Sequence, residues 1–259
     1  MTDCSKAAVI TGGGTGVGRA ATLRLARAGY GVVFNYLRSQ AEATETAEEV
    51  AALGGRAVCL QADVASDDDC RRLIAAAESA FGRLDVLINC AGTTEFIPFA
   101  DLDAVSTELW DHLFRVNVTG AFQCARAAAP LLRRAGGVII NVSSVAAQLG
   151  QGSSIPYCCS KAALDNLTVS LARTLAPEIR VNGIAPGFIA GRWTERGLGE
   201  KYAAVVSAYE RALPLQRVCQ PDDIAQAIVE LATGSPLITG QTLTVDGGML
   251  ISGFQVKFH

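Results

Sequence analysis

The sequence contains no run of lysine or arginine. Its 22 basic residues are scattered among 25 acidic ones, leaving a formal charge of −3. A polyanionic partner needs a basic patch or stripe, so neither nucleic acid nor an anionic membrane surface is expected to bind. Long apolar runs are missing too. Nothing approaches the roughly 20 uninterrupted apolar residues of a spanning helix, so no membrane span is expected. Histidine is nearly absent, with only His112 and His259, and the eight cysteines include no C-x-x-C pair. A zinc site and a disulfide framework both lose their usual ligands. No metal is expected, and reduced thiols in a cytoplasm are the default. The adjacent Cys158 and Cys159 read as small helix-packing residues. Residues 1–6 carry an acid and a cysteine and lead into a strand-like run, which is not the reading of a signal peptide. No repeat, proline-rich linker or low-complexity tract divides the chain, so residues 1–259 are expected to form one domain.

What is present is apolar and periodic. Half of the residues are hydrophobic and 18% are charged, the balance of a globule with a large interior. Short runs rich in Val and Ile at 7–11, 31–35, 57–61, 86–89, 138–142, 180–184 and 243–245 read as strands buried on both faces. Amphipathic stretches at 17–28, 40–53, 67–81, 107–134, 157–175 and 222–232 read as helices. Asp67 can cap one of them with Ser66 preceding it, and Gly29, Gly54 and Gly82 stand where helix ends favour a left-handed residue. Strand and helix alternating this often predict an α/β fold, a doubly wound parallel sheet of about seven strands of Rossmann type. Ligands of such sheets bind beyond the carboxyl ends of the strands, so chemical residues are expected just after them.

Thr11-Gly12-Gly13-Gly14-Thr15-Gly16-Val17-Gly18 meets that expectation between the first strand and the first helix. Glycines let backbone approach a pyrophosphate, and the helix start offers free N–H groups and partial positive charge. The spacing differs from G-x-G-x-x-G by one residue, and no Gly-Lys-Ser/Thr ending suggests a triphosphatase. The second strand leads into Asn35-Tyr36-Leu37-Arg38-Ser39 without the acid that would bond a ribose 2′-hydroxyl. Arg38 is suited to a 2′-phosphate, or is a solvated surface residue. The expected cofactor is NADP(H), with NAD(H) the alternative.

Tyr157 and Lys161 lie four residues apart on a predicted helix and share a face. A free phenol titrates near 10, and a nearby cation lowers that value. Ser143 and Ser144 follow the 138–142 strand, where one hydroxyl can meet a substrate oxygen and the other cap the turn. Asn117 is an amide within an apolar helical stretch and needs a partner, either structural or functional.

Together these residues resemble the short-chain dehydrogenases/reductases, and the matches run nearly end to end. They comprise Thr11-Gly12-x-x-x-Gly16-x-Gly18, Asp63-Val64, Asn89-Cys90-Ala91-Gly92, Asn117, Ser144, Tyr157-x-x-x-Lys161, Pro186-Gly187, Thr239-Gly240 and Asp246-Gly247-Gly248. The resemblance implies that Tyr157 is the general acid or base and that Ser144, 13 residues before it, polarises the carbonyl. It implies that Lys161 lowers the Tyr157 pKa and bonds the nicotinamide ribose, while Asn117 holds a water linking Lys161 to solvent. Gly12, Thr15, Gly16, Val17 and Gly18 would hold the pyrophosphate. Asp63 and Val64 would frame the adenine, with Asn89, Ala91 and Gly92 along the cofactor and Pro186, Gly187 and Ile189 beside the nicotinamide. Two positions depart from the family: Cys90 replaces an Asn, and Gly191 stands where relatives often place a Thr, a role open to Thr194 or to backbone groups.

Residues 188–213 read as a substrate lid, helical at about 199–211. Arg192, Trp193, Arg196 and Lys201 there either greet an anionic or acyl-carrier substrate or are solvated. The general pattern is similar to 3-oxoacyl-carrier-protein reductases, implying reduction of a 3-oxoacyl or small keto substrate. A sugar or secondary-alcohol dehydrogenase and a non-catalytic NADP(H)-binding regulator are the alternatives. The helices at 107–134 and 157–175 and the apolar tail 249–259 are candidates for subunit packing; the family resemblance implies a tetramer or a dimer, and a homotetramer is expected.

Overall fold

The computed structural model describes residues 5–252. Seven strands, β1 (Lys6–Ile10), β2 (Tyr30–Tyr36), β3 (Ala57–Gln61), β4 (Val86–Asn89), β5 (Val138–Val142), β6 (Arg180–Pro186) and β7 (Thr242–Val245), form one sheet. Their order is β3-β2-β1-β4-β5-β6-β7 and every pairing is parallel. The helices are α1 (Gly16–Arg27), α2 (Gln40–Ala52), α3 (Asp67–Phe81), α4 (Thr107–Phe114), α5 (Gly120–Ala135), α6 (Ala146–Leu149), α7 (Ile155–Leu175), α8 (Arg192–Leu198), α9 (Tyr202–Ala212) and α10 (Pro221–Thr233). All seven expected strands are present. None of the described helices is long and apolar enough to cross a membrane.

The sheet is covered on both sides, which is why its central strands are almost wholly apolar. On one face α1, α2 and α10 bury Leu25, Val50, Ile224 and Ile228 against Ile10, Val32, Phe34, Ile88 and Ile140. On the other, α3, α5 and α7 bury Leu73, Leu132 and Leu175 against Val9, Val33, Leu87 and Ile139. One polar seam crosses this interior. Asn89 and Asn141 are register partners at the ends of β4 and β5. The Asn89 amide donates to Asn141 Oδ1 at 2.9 Å, and Asn141 donates to Thr168 Oγ1 at 2.9 Å.

Helix ends differ from the sequence reading in three places. Ser66, not Asp67, caps α3: its hydroxyl accepts from Asp69 N, and Asp67 lies in the first turn, where its charge suits the helix dipole. The chain around Tyr157 becomes helical at Ile155, capped by Ser154, with Pro156 in the first turn where its missing N–H is harmless. The stretch 107–134 is not one helix. A π turn at Arg115–Thr119 separates α4 from α5, and Asn117 lies within it. That wide turn presents Asn117 to the loop after β4, where its amide is bonded. By contrast Gly29, Gly54 and Gly82 take the expected left-handed conformation.

The segment after β6 contains more helix than expected, because α8 precedes a 3-10 turn and α9. Helix α8 buries no residue, so it has no apolar period to read. It is seated by Gly197, where a Cβ would fall 2.1 Å from the Phe96 ring. Behind it Phe188 and Tyr209 stack at 4.7 Å in a small core with Leu213 and Val218. Of the apolar tail, residues from 253 onward, including Phe254, Val256 and Phe258, lie outside the described residues.

Candidate active site

The strand order reverses between β1 and β4, and the turns leaving these two strands meet. Thr11 Oγ1 accepts from Cys90 N and Ala91 N, both at 2.9 Å, and a Cβ on Gly12 would fall 3.1 Å from the Ala91 Cα. Gly12 N donates to Asn35 Oδ1 at 3.0 Å. Asn35 was not singled out from the sequence; its one signal is an amide at the end of an apolar strand. A Cβ on Gly18 would fall 2.2 Å from the Gly12 carbonyl oxygen, so only glycine allows α1 to begin so close beneath the turn. Gly16 has φ +53° and nothing near its outward face. The Thr15 side chain caps no N–H of α1. Open first-turn N–H groups beneath a glycine turn fit a dinucleotide pyrophosphate.

The other cofactor candidates line the same edge to different degrees. Ala91 and Gly92 are half-buried, as is Asp63, whose carboxylate accepts from Ala65 N at 2.9 Å. Val64 is buried, and its carbonyl lies 2.8 Å from where a Cβ on Gly120 would be. The Asn89 side chain is directed into the protein, to Asn141 and the Ala121 carbonyl, with its Oδ1 unpartnered. Pro186 ends β6, Gly187 packs tightly on Asp246, and Ile189 bridges to Cys219. Arg38 is exposed and makes no ion pair among the described residues. Thr194 does not take the place of the side chain missing at Gly191. Its hydroxyl donates to Ile189 O at 2.8 Å and Gly191 O at 2.9 Å, closing the start of α8.

Ser144, Tyr157, Lys161 and Asn117 come together at the carboxyl ends of β4 and β5. The geometry separates the two serines. Ser144 is half-buried, its hydroxyl accepts from Ala146 N at 3.1 Å, and its side chain is near enough to Tyr157 to favour loss of the phenol proton. Ser143 is buried and donates to the Lys161 carbonyl at 3.3 Å. Lys161 is buried, and its ammonium donates to Val142 O at 2.8 Å while lying 5.8 Å from the Tyr157 ring centre. Burial lowers Lys161 to about 8. Burial also pushes Tyr157 up to about 12, against the lowering influence of the Ser144 side chain. The sequence led us to expect a lowered tyrosine. Desolvation of the buried phenol is the dominant effect, and the Lys161 ammonium is directed at the Val142 carbonyl rather than at the hydroxyl.

Asn117 is nearly inaccessible and fully engaged. Its Oδ1 accepts from Thr93 N at 2.8 Å, while Nδ2 donates to Thr93 O and Ser160 Oγ, each at 3.0 Å. Ser160 in turn donates to the Tyr157 carbonyl at 2.8 Å, tying the π turn to the catalytic helix. Asn117 Oδ1 and Lys161 Nζ lie 3.4 and 3.6 Å from the same point above Gly92. Thr93 and Ser160, which the sequence reading passed over, thus fix the amide by backbone and hydroxyl contacts that leave no pattern in sequence. Trp193 of α8 stands edge-on to Tyr157 at 6.3 Å, so α8 faces the phenol. Among the described residues seven cysteines are free; Cys158 is buried as a packing residue, whereas Cys159 is exposed.

A family model described as enoyl-(acyl carrier protein) reductase matches residues 12–250. The chain is 41% identical over 242 residues to a Streptomyces violaceoruber protein named "Granaticin polyketide synthase putative ketoacyl reductase 2", covering 93% of this chain and 94% of that one. It is 38% identical to a 3-oxoacyl-acyl-carrier-protein reductase FabG of Staphylococcus aureus, covering 95% and 98%. Among solved structures, a "putative short-chain dehydrogenase/reductase" of Burkholderia xenovorans superposes with a TM-score of 0.88 at 38% identity, covering 95% and 98%.

Proposed function

The chain belongs to the short-chain dehydrogenase/reductase family, and from that membership we propose that it reduces a 3-oxoacyl thioester or a small keto compound with NADP(H). It is a nicotinamide-dependent oxidoreductase of carbonyl and secondary-alcohol groups. The observation that carries the reading is that Ser144 and Tyr157 come together beyond the carboxyl end of β5, with the Ser144 side chain near enough to favour loss of the phenol proton and the Lys161 ammonium 5.8 Å from the phenol ring centre. A donor and a polarising hydroxyl aimed together serve one oxygen atom, and a ketone receiving hydride at carbon needs a proton at oxygen.

When bound, the nicotinamide supplies the hydride. The glycine turn with Thr15, Val17 and the start of α1 would hold the pyrophosphate. Asp63, Val64, Ala91 and Gly92 would lie along the adenosine and ribose, and Pro186, Gly187 and Ile189 would flank the ring. Asn89, whose side chain is directed into the protein, would offer its backbone there. Ser144 donates to the substrate carbonyl oxygen and fixes it beside Tyr157. A phenol near pKa 12 retains its proton at neutral pH, the state a general acid requires. As that proton leaves, the Lys161 cation stabilises the phenolate by charge. Asn117 and Lys161 flank one point above Gly92, where a water can pass a replacement proton inward.

Cofactor choice rests on the end of β2, where Arg38 is exposed and no acid follows the strand closely. Kinetics with NAD(H) equal to NADP(H) in kcat/KM would reject that preference. Residues 188–213 form the substrate cover within a single domain, and the site of action is the cytoplasm. Steady-state absorbance of the reduced nicotinamide against a panel of ketones tests the function. Turnover of 3-oxoacyl thioesters or small ketones is expected; turnover confined to sugars or alcohols would overturn the substrate reading.

A further inference from the structure

Arg192 opens α8, and sequence alone leaves it as one of several lid cations facing a substrate. Its guanidinium turns the other way. It pairs with the Glu42 carboxylate and donates to Ser39 Oγ at 3.3 Å. Ser39 directly follows Arg38, and Glu42 lies in the first turn of α2. That turn abuts the phosphate-binding loop. A Cβ on Gly14 would fall 2.9 Å from the Ala43 methyl, and Thr46 Oγ1 donates to Gly14 O at 3.2 Å. Arg192 therefore ends at the margin of the cleft beside the segment that follows β2. The next residue, Trp193, stands against Tyr157 at the opposite end. Two consecutive lid residues thus reach both ends of the cofactor path.

Glu42 makes this arrangement informative. A carboxylate in this position would repel a 2′-phosphate, and the pairing with Arg192 neutralises it while holding a guanidinium at Ser39, the residue after Arg38. A guanidinium carries five donors in a planar fork, enough to keep Glu42 and Ser39 and still bind a phosphate. A lysine in its place would offer a point charge without the fork.

We infer that Arg192 is a specificity residue for the 2′-phosphate of NADP(H), reaching it from the lid while Arg38 approaches from the end of β2. The inference rests on the NADP(H) reading above. It makes the lid part of the adenosine site as well as of the substrate site, so recognition of the phosphate and placement of Trp193 share one short segment.

Calorimetric titration of the full chain with 2′,5′-ADP and with 5′-ADP tests this without any turnover. The wild type is expected to prefer 2′,5′-ADP. Arg192→Gln is expected to bind 2′,5′-ADP about fivefold more weakly, the size of an exposed charge contact, and 5′-ADP within about twofold of wild type. Arg192→Lys is expected to recover part of the loss. A variant that keeps the full preference, or that loses both ligands equally, overturns the inference and leaves the NADP(H) reading standing. A wild type without preference overturns both.

Discussion

At the scale of the residue, the site separates proton possession from proton mobility. Tyr157 holds its proton firmly, and the Ser144 side chain favours its release. Replacing Tyr157 by Phe is expected to lower kcat by about 10²- to 10⁴-fold, the usual worth of a positioned acid, with cofactor affinity within about threefold of wild type. Near-normal turnover on the best ketone would remove Tyr157 from the mechanism. Lys161 sets the pH response. Burial depresses it to about 8 from 10.5, so the cation that stabilises the phenolate is lost as pH rises through about 8. Reductive kcat measured from pH 6 to 10 is expected to fall along an alkaline limb near that value. The linked effect on stability has the opposite sign. Between about 8 and 10.5 the unfolded chain binds the proton that the folded one has released, so this group's contribution to folding improves as pH rises.

At the scale of the element, strands and phosphate turn were legible and the long helix was not. Buried parallel strands are continuous apolar runs, and glycine turns have a residue signature, so both survive translation into a string of letters. The π turn at Arg115–Thr119 has none. Its apolar period continues from α4 into α5, and only the contacts of Asn117 with Thr93 and Ser160 reveal the extra residue. Those contacts join segments 24 and 43 residues apart. Helix α8 was missed for the same reason, being held by Phe96 against Gly197 rather than by a face of its own. Tyr157, Lys161 and Ser144 were singled out through the family resemblance, which gave their spacing meaning, but the aim of the Lys161 ammonium at Val142 was beyond any spacing rule. The turn before α1 offers a direct test of close packing. Gly18→Ala sets a methyl 2.2 Å from the Gly12 carbonyl, which must shift. The expected result is a loss of about 1–3 kcal/mol in urea unfolding, and cofactor binding weakened roughly tenfold by titration.

At the scale of the whole molecule, two surfaces expose apolar side chains among the described residues. Helices α5 and α7 expose Phe122 (40%) and Val169 (44%), and the edge strand β7 exposes Leu243 (48%). Two separate self-complementary faces build a tetramer of dihedral symmetry, whereas one builds only a dimer. Light scattering at micromolar concentration is expected to report four chains, and Val169→Arg to shift the mass downward; a monomeric wild type would refute the tetramer. The buried seam of Asn89 and Asn141 has a consequence at this scale as well. The bond from the Asn89 amide to Asn141 Oδ1 forms only when β4 and β5 are aligned residue for residue. A slip by one position would break it and leave Asn141 Oδ1 buried without that donor, at about 1–3 kcal/mol. The pair works as a ruler laid across the sheet: it sets the height at which the Cys90–Gly92 loop and the Ser143–Ser144 turn emerge, so cofactor shelf and catalytic hydroxyl are levelled against each other before any ligand arrives.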